Sequence, residues 1–78
     1  MTPEQIERTR VKLRDAIWQA MYFDVPQTPE AAIDALVRFE RAEAAERWGW
    51  MYCRDAAVYQ EAEAELARIV RETLGEDA

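Results

Sequence analysis

The sequence contains no His, no Ser and no Asn, and its single Cys and single Lys are Cys53 and Lys12. Nucleophilic catalysis needs a base beside the nucleophile, which is usually His, so this absence removes the common catalytic dyads and triads. Structural zinc sites use several Cys and His ligands, which the chain cannot supply. The two Gly residues stand far apart, so they cannot form a Gly-rich phosphate-binding loop. We therefore expect no enzymatic activity, no cofactor and no bound metal.

Length, hydropathy and charge limit the class of protein. With 78 residues, half of them hydrophobic, the chain is long enough for one folded domain over residues 1–78. It has no apolar run of the roughly 18–20 residues that span a bilayer, and its first five residues are too polar for a secretory signal. A lone Cys favours the reducing cytoplasm. The net charge of −6 disfavours direct binding to nucleic acids or membrane surfaces, because both are anionic.

Two segments have the composition of a helix start, Thr2-Pro3-Glu4-Gln5 and Thr28-Pro29-Glu30. In each, the Thr hydroxyl can accept a hydrogen bond from a free amide of the first turn. The Pro that follows has no amide hydrogen to leave unpaired, and the Glu faces the positive end of the helix dipole. Gln5 is also three residues after Thr2, which is the spacing of a capping box. The sequence therefore predicts helices that begin at residues 3 and 29.

Helix-breaking residues divide the chain into three predicted helices, over residues 3–24, 29–48 and 50–74. Pro26 and Pro29 stop the first helix, Gly49 separates the second from the third, and Gly75 is placed to end the third. Because a lone Gly can bend a helix as well as end it, the alternative is that the last two form one long bent helix. No alternating β-branched run predicts a strand. The expected fold is an all-α three-helix bundle.

The spacing of apolar residues predicts which face of each helix is buried. The first helix has two neighbouring stripes: Ile6, Leu13, Ile17, Ala20 and Met21, and beside them Val11, Trp18, Tyr22 and Val25. The second helix has one apolar face: Ile33, Leu36, Val37, Ala44 and Trp48. The third has a coiled-coil-like seam: Tyr52, Asp55, Tyr59, Ala62, Leu66, Ile69 and Thr73. The opposite face of the third helix has Trp50, Cys53, Ala57 and Ala64. Because a three-helix monomer cannot bury both stripes of the first helix and both faces of the third, we expect a homodimer.

The aromatic residues predict a partner-binding site. Trp48 and Trp50 flank Gly49, and on a continuous helix their side chains point about 200° apart. Trp48, like Trp18, is expected mainly in the core, whereas Trp50 lies among small residues on the opposite face. Trp and Tyr side chains often dominate the energy of protein interfaces. The predicted partner contact is centred on Trp50 and includes Trp48, Tyr52, Phe39 and Phe23. For Trp50 and Phe39, the chain's own core is the competing location.

An acidic face is predicted on the third helix, formed by Glu61, Glu63, Glu65 and Glu72. In size and composition the chain resembles the small acidic helical proteins of phages and mobile elements, which include inhibitors of host machines. We interpret it as a protein–protein interaction protein, an inhibitor or adapter that binds a host or cellular protein machine. Two alternatives remain open. One is a self-assembling structural or assembly subunit, and the other is a nucleic-acid mimic that occupies a basic groove.

Overall fold

The computed structural model describes residues 1–23, 28–48 and 56–75, and these ranges contain three α-helices. They are α1 (Pro3–Tyr22), α2 (Pro29–Trp48) and α3 (Ala56–Leu74). The predicted all-α three-helix fold is confirmed, and no strand occurs in the described ranges. Helix α1 ends two residues before its predicted end at residue 24. Because α2 and α3 lie side by side, the alternative of one long bent helix is wrong. The predicted start of the third helix at residue 50 lies outside the described residues.

Three helix ends, the starts of α1 and α2 and the end of α3, are formed by the residues that the sequence predicts. At the start of α1, the amide of Gln5 donates to Thr2 Oγ1 at 3.2 Å, and the amide of Thr2 donates to Gln5 Oε1 at 2.8 Å. At the start of α2, the amide of Ala31 donates to Thr28 Oγ1 at 3.2 Å. Gly75 follows α3 with a φ of 68°, a left-handed conformation that favours Gly. The predicted capping box and the Gly terminus are therefore confirmed.

The core lies where all three helices meet. Phe39 of α2 and Leu66 and Val70 of α3 are fully buried. Around them lie further buried or partly buried apolar residues: Leu13, Ala42, Ile69, Leu74, Ile6, Ala35 and Leu36. The described part of the predicted α3 seam is confirmed, because Ala62, Leu66 and Ile69 are buried and Tyr59 and Thr73 are half-buried. Helix α3 therefore contributes the largest share of the core.

The predicted buried face of α2 is wrong. Ile33, Val37, Ala44 and Trp48 are exposed, and only Leu36 of the predicted face is partly buried. The face that packs inward is turned by more than 100° around the helix and consists of Ala32, Ala35, Leu36, Phe39 and Ala42. The physical reason is close approach, since small Ala side chains let neighbouring helices come near enough to enclose the Phe39 ring.

Of the two apolar stripes on α1, within the described residues only the first faces the core, except for Met21 at its end, which is 58% exposed. Leu13 is buried, whereas Val11, Trp18 and Tyr22 of the second stripe are 56–63% exposed. The expectation that Trp18 enters the core is therefore wrong. Thr9 is fully buried on the inner face, and its hydroxyl donates to the carbonyl of Gln5 at 2.7 Å, which satisfies its polar group. Helix α1 consequently presents an apolar stripe to its outer side.

Candidate interaction surface

Three exposed aromatic rings lie together at the C-terminal end of α1. The ring centroids of Trp18 and Tyr22, one helical turn apart, are separated by 4.5 Å, and those of Trp18 and Phe23 by 6.3 Å. Phe23 is the first residue after the helix, in extended conformation, and its amide donates to the carbonyl of Gln19 at 2.8 Å. The three side chains, here called the aromatic cluster, are 58–63% exposed. Large aromatic side chains held together in this way form a pre-ordered apolar surface.

The outer face of α2 adds a second exposed apolar stripe. Ile33 is 45% exposed, Val37 is 39% exposed and Trp48 is 57% exposed. On α3, by contrast, the described large apolar side chains are in the core except for Val58 and the half-buried Tyr59. The outer surface of α3 is instead formed by charged residues and Ala. Exposed apolar surface is thus concentrated on α1 and α2.

The predicted partner-binding residues fall into three groups. Phe23 and Trp48 are exposed, as a partner contact requires. Phe39 is fully buried by the chain's own helices, which is the competing location that the sequence left open for it, so its ring is not available to a partner. Trp50 and Tyr52 lie outside the described residues. The assignment omitted Trp18 and Tyr22 of the aromatic cluster, although their signal was present in the sequence as the second apolar stripe of the first helix.

The predicted acidic face is divided by the geometry of α3. Glu61, Glu65 and Glu72 lie on one side of the helix, whereas Glu63 lies roughly 160–200° away. Glu65 is ion-paired with Arg38 of α2 at 3.1 Å and also with Arg68. These two Arg side chains offset the charge at the middle of the face. The arrangement is therefore a mixed charged surface rather than a uniform row of carboxylates.

A half-buried ion pair fixes α1 against α2. Arg10 Nη2 lies 2.5 and 2.6 Å from the two carboxylate oxygens of Glu43, and Arg10 Nη1 lies 2.6 Å from Glu7. The guanidinium also lies 5.5 Å from the centre of the Phe39 ring, within reach of a cation–π interaction. The bond to Glu43 raises the pKa of Arg10, so the guanidinium stays protonated at every accessible pH. The ion pair of Arg10 with Glu43 thereby fixes the position of α1 along the axis of α2.

A cleft of about 400 Å³ opens between the helices below this ion pair. Its lining combines apolar and charged residues: Ile6, Glu43, Glu46, Arg47, Tyr59 and Leu66. Burial raises the pKa of Glu46, and the negative charges of Glu63 and Glu43 raise it further. In the described part of the chain, no group of three or more Asp, Glu, Cys or His side chains is placed to hold a metal ion. The geometry of the cleft favours no particular reaction.

Replacing Glu46 by Gln should stabilise the fold at neutral pH. A carboxyl group whose pKa is higher in the folded state destabilises the fold while it is ionised. This penalty is complete above the raised pKa and disappears when the pH falls below the ordinary value for Glu. In urea titrations we expect Glu46→Gln to be more stable than the original protein at pH 7 and equal to it near pH 3. Lower stability of the variant at pH 7 would contradict this assignment.

Comparisons with protein-family models, with curated proteins and with solved structures found no match to this chain. Among the helices that the structure describes, none is both long and apolar enough to cross a membrane. The exposed apolar surfaces of α1 and α2 are therefore the features of this chain that bear on its function.

Proposed function

We propose that the protein acts by binding another protein, as an adapter or inhibitor, through the outer faces of α1 and α2. The observation that carries the proposal is the aromatic cluster, in which the three rings are 58–63% exposed and Trp18 lies against both Tyr22 and Phe23. Exposed apolar patches of this kind are characteristic of interaction sites. Trp and Tyr are also the residues most enriched among the dominant contacts of interfaces.

The energy available from the aromatic cluster supports this role but also limits it. Each ring leaves on the order of 100 Å² exposed, which corresponds to roughly 2–3 kcal/mol when a partner covers it. Three such rings supply about 6–9 kcal/mol, which is close to the cost of association itself. Stable binding therefore needs additional contacts. The stripe of Ile33, Val37 and Trp48 on α2 provides exposed apolar surface for them.

The mixed charge of the α3 surface makes nucleic-acid mimicry the weaker alternative. A mimic must present a regular row of unpaired negative charges to a basic groove. Glu65, in the middle of the predicted row, is paired with Arg38 and Arg68, and Glu63 points away from the other members. We therefore propose an apolar rather than an electrostatic contact, whose affinity should depend only weakly on salt.

The proposal is tested by affinity capture with the original protein and two variants. The double substitution Trp18→Ala/Tyr22→Ala removes most of the aromatic cluster, whereas Val58→Ala removes an exposed apolar side chain of α3. We expect a partner at fixed stoichiometry with the original protein and with Val58→Ala. The double variant should bind at least about 30-fold more weakly, because interface residues of this type contribute roughly 2 kcal/mol or more.

Two results would count against the proposal. Equal binding by the double variant would remove the aromatic cluster from the contact. Recovery of the chain alone, with no other protein at fixed stoichiometry, would favour the self-assembling subunit. Circular dichroism of each variant must show unchanged helix content, so that loss of binding is not loss of folding.

A further inference from the structure

Resting on the proposed use of this surface for protein binding, we propose that a second copy of this chain packs on the outer side of the α1–α2 pair while no other protein occupies it. In this arrangement α1 of each copy lies against α2 of the other, around a two-fold axis parallel to the helices. The surface, here called the α1–α2 face, consists of Val11, Arg14, Trp18 and Met21 of α1 and Ile33, Val37, Glu40 and Trp48 of α2. The inference depends on two opposite charges on this face, Arg14 within the apolar stripe of α1 and Glu40 within the apolar stripe of α2.

The Arg10–Glu43 pair shows which residues of α1 and α2 lie at the same level. Because the two helices are antiparallel, each step forward along α1 corresponds to one step back along α2, starting from residues 10 and 43. Arg14 is therefore level with the neighbourhood of Glu40, and Trp18 with the gap between Ile33 and Val37. Rotation about an axis parallel to the helices preserves these levels. The same residues consequently face each other across the proposed dimer.

The charges on this face are complementary. Arg14 is turned about 40° around α1 from Arg10, and Glu40 about 60° around α2 from Glu43, in both cases away from the core. They therefore flank the seam between the helices on its solvent side. Within the described ranges, neither Arg14 nor Glu40 takes part in an ion pair. The two-fold arrangement brings each Arg14 near the Glu40 of the other copy, so two equivalent ion pairs form.

The apolar area is close to the requirement of a stable dimer. Six apolar side chains of the face are 39–58% exposed: Val11, Trp18, Met21, Ile33, Val37 and Trp48. With about 150–200 Å² for each complete side chain, they expose roughly 500 Å² per copy. A standard interface buries about 800 Å² per partner, polar rim included. The stems of the flanking charged side chains supply the remaining area. A face that presents the same stripes and opposite charges to its own copy is suited to an isologous contact.

Charge reversal with mixing tests this arrangement. Arg14→Glu and Glu40→Arg each place like charges opposite one another twice in a homodimer. Native mass spectrometry and sedimentation equilibrium should show a dimer for the original chain at tens of micromolar and at least about tenfold weaker association for each variant. In an equimolar mixture, heterodimers of the two variants should recover the original affinity, because each then offers the complementary charge. If a substitution weakens the dimer only by damaging the fold of its own chain, mixing the two variants cannot restore the affinity. Matched reversals on α3, Arg71→Glu and Glu61→Arg, should leave the dimer unchanged.

Three results would overturn the inference. The original chain could be monomeric at these concentrations, the single reversals could leave the dimer intact, or the mixture could fail to recover heterodimers while both variants keep their helix content. Each is distinguishable from failure of the proposed function. A monomer that captures another protein and loses it on Trp18→Ala/Tyr22→Ala would retain the interaction role without the self-association.

Discussion

Replacing Phe39 by Ala should lower the free energy of unfolding by about 3–5 kcal/mol, the largest effect that we expect from any single substitution. Phe39 is completely buried, and its ring lies in the core cluster with Leu13, Leu66 and Val70. A domain of this size is typically stable by roughly 4–12 kcal/mol, so the loss is a large part of the total. The melting temperature should fall by more than about 12 °C, and the variant is expected to be partly unfolded at 37 °C.

Phe23→Ala is the matched control, because it makes the same substitution at a ring that is 62% exposed. Most of that ring is already in water, so its removal should cost less than about 1 kcal/mol. Urea titrations of both variants, followed by circular dichroism, measure the difference. Similar losses at the two positions, or a larger loss at Phe23, would mean that the assigned orientation of α2 is incorrect.

Arg10→Glu should also destabilise the fold strongly, lowering the free energy of unfolding by about 2–3 kcal/mol. The substitution removes the bidentate pair with Glu43 and the contact with the Phe39 ring, and it sets a carboxylate between Glu7 and Glu43. The side chains of Arg10 and Glu43 are only 20% and 23% exposed, so water screens the repulsion incompletely. The estimate is below that for a fully buried pair because part of each group remains solvated.

Arg38→Glu is the control for Arg10→Glu, since Arg38 also pairs with a Glu of a neighbouring helix but is 57% exposed. Its reversal should cost less than about 1 kcal/mol and should become smaller still in 1 M salt. Adding Glu43→Arg to Arg10→Glu should recover part of the lost stability. If the two Arg reversals cost the same, the Arg10–Glu43 pair does not have the structural role assigned to it.

Features that depend on neighbouring residues in the sequence could be predicted well. The start of α1 follows from Thr2, Pro3 and Gln5, whose hydrogen bonds all close within one turn. The seam of α3 could also be predicted, because large aliphatic residues such as Leu66 and Ile69 recur at helical spacing. In both cases the local pattern and the tertiary structure favour the same answer.

The orientation of α2 could not be predicted, because it depends on how closely its neighbours approach. The face with more aliphatic residues, including Ile33 and Val37, remains in solvent. The face with Ala32, Ala42 and Phe39 is buried instead. Hydrophobic spacing ranks faces by transfer energy alone, whereas packing also rewards small residues that let helices come together. The location of Phe39 in the core, one of the two locations that the sequence left open, follows from this orientation.

The sequence predicted that the chain has an exposed aromatic interaction surface, but it predicted only some of the residues that form it. Two apolar stripes on the first helix indicated that one would remain uncovered, yet nothing in the local sequence decided which one. That choice depends on Arg10, which reaches Glu43 thirty-three positions away in the chain. The pairing of Glu65 with Arg38 is likewise a long-range contact, so the acidic face looked more uniform in the sequence than it is in the structure.

The proposed role requires that the outer faces of α1 and α2, which are exposed in the isolated chain, become covered by protein. Hydroxyl-radical footprinting measures this directly, with the isolated chain at submicromolar concentration and again in its assembled state, either as dimer or with a captured partner. We expect Trp18, Met21 and Trp48 to react readily in the dilute chain and to become protected on assembly, while Phe39 stays unreactive in both. Protection of Trp18 in the dilute monomer, or unchanged reactivity of all three residues after assembly, would contradict the proposed role.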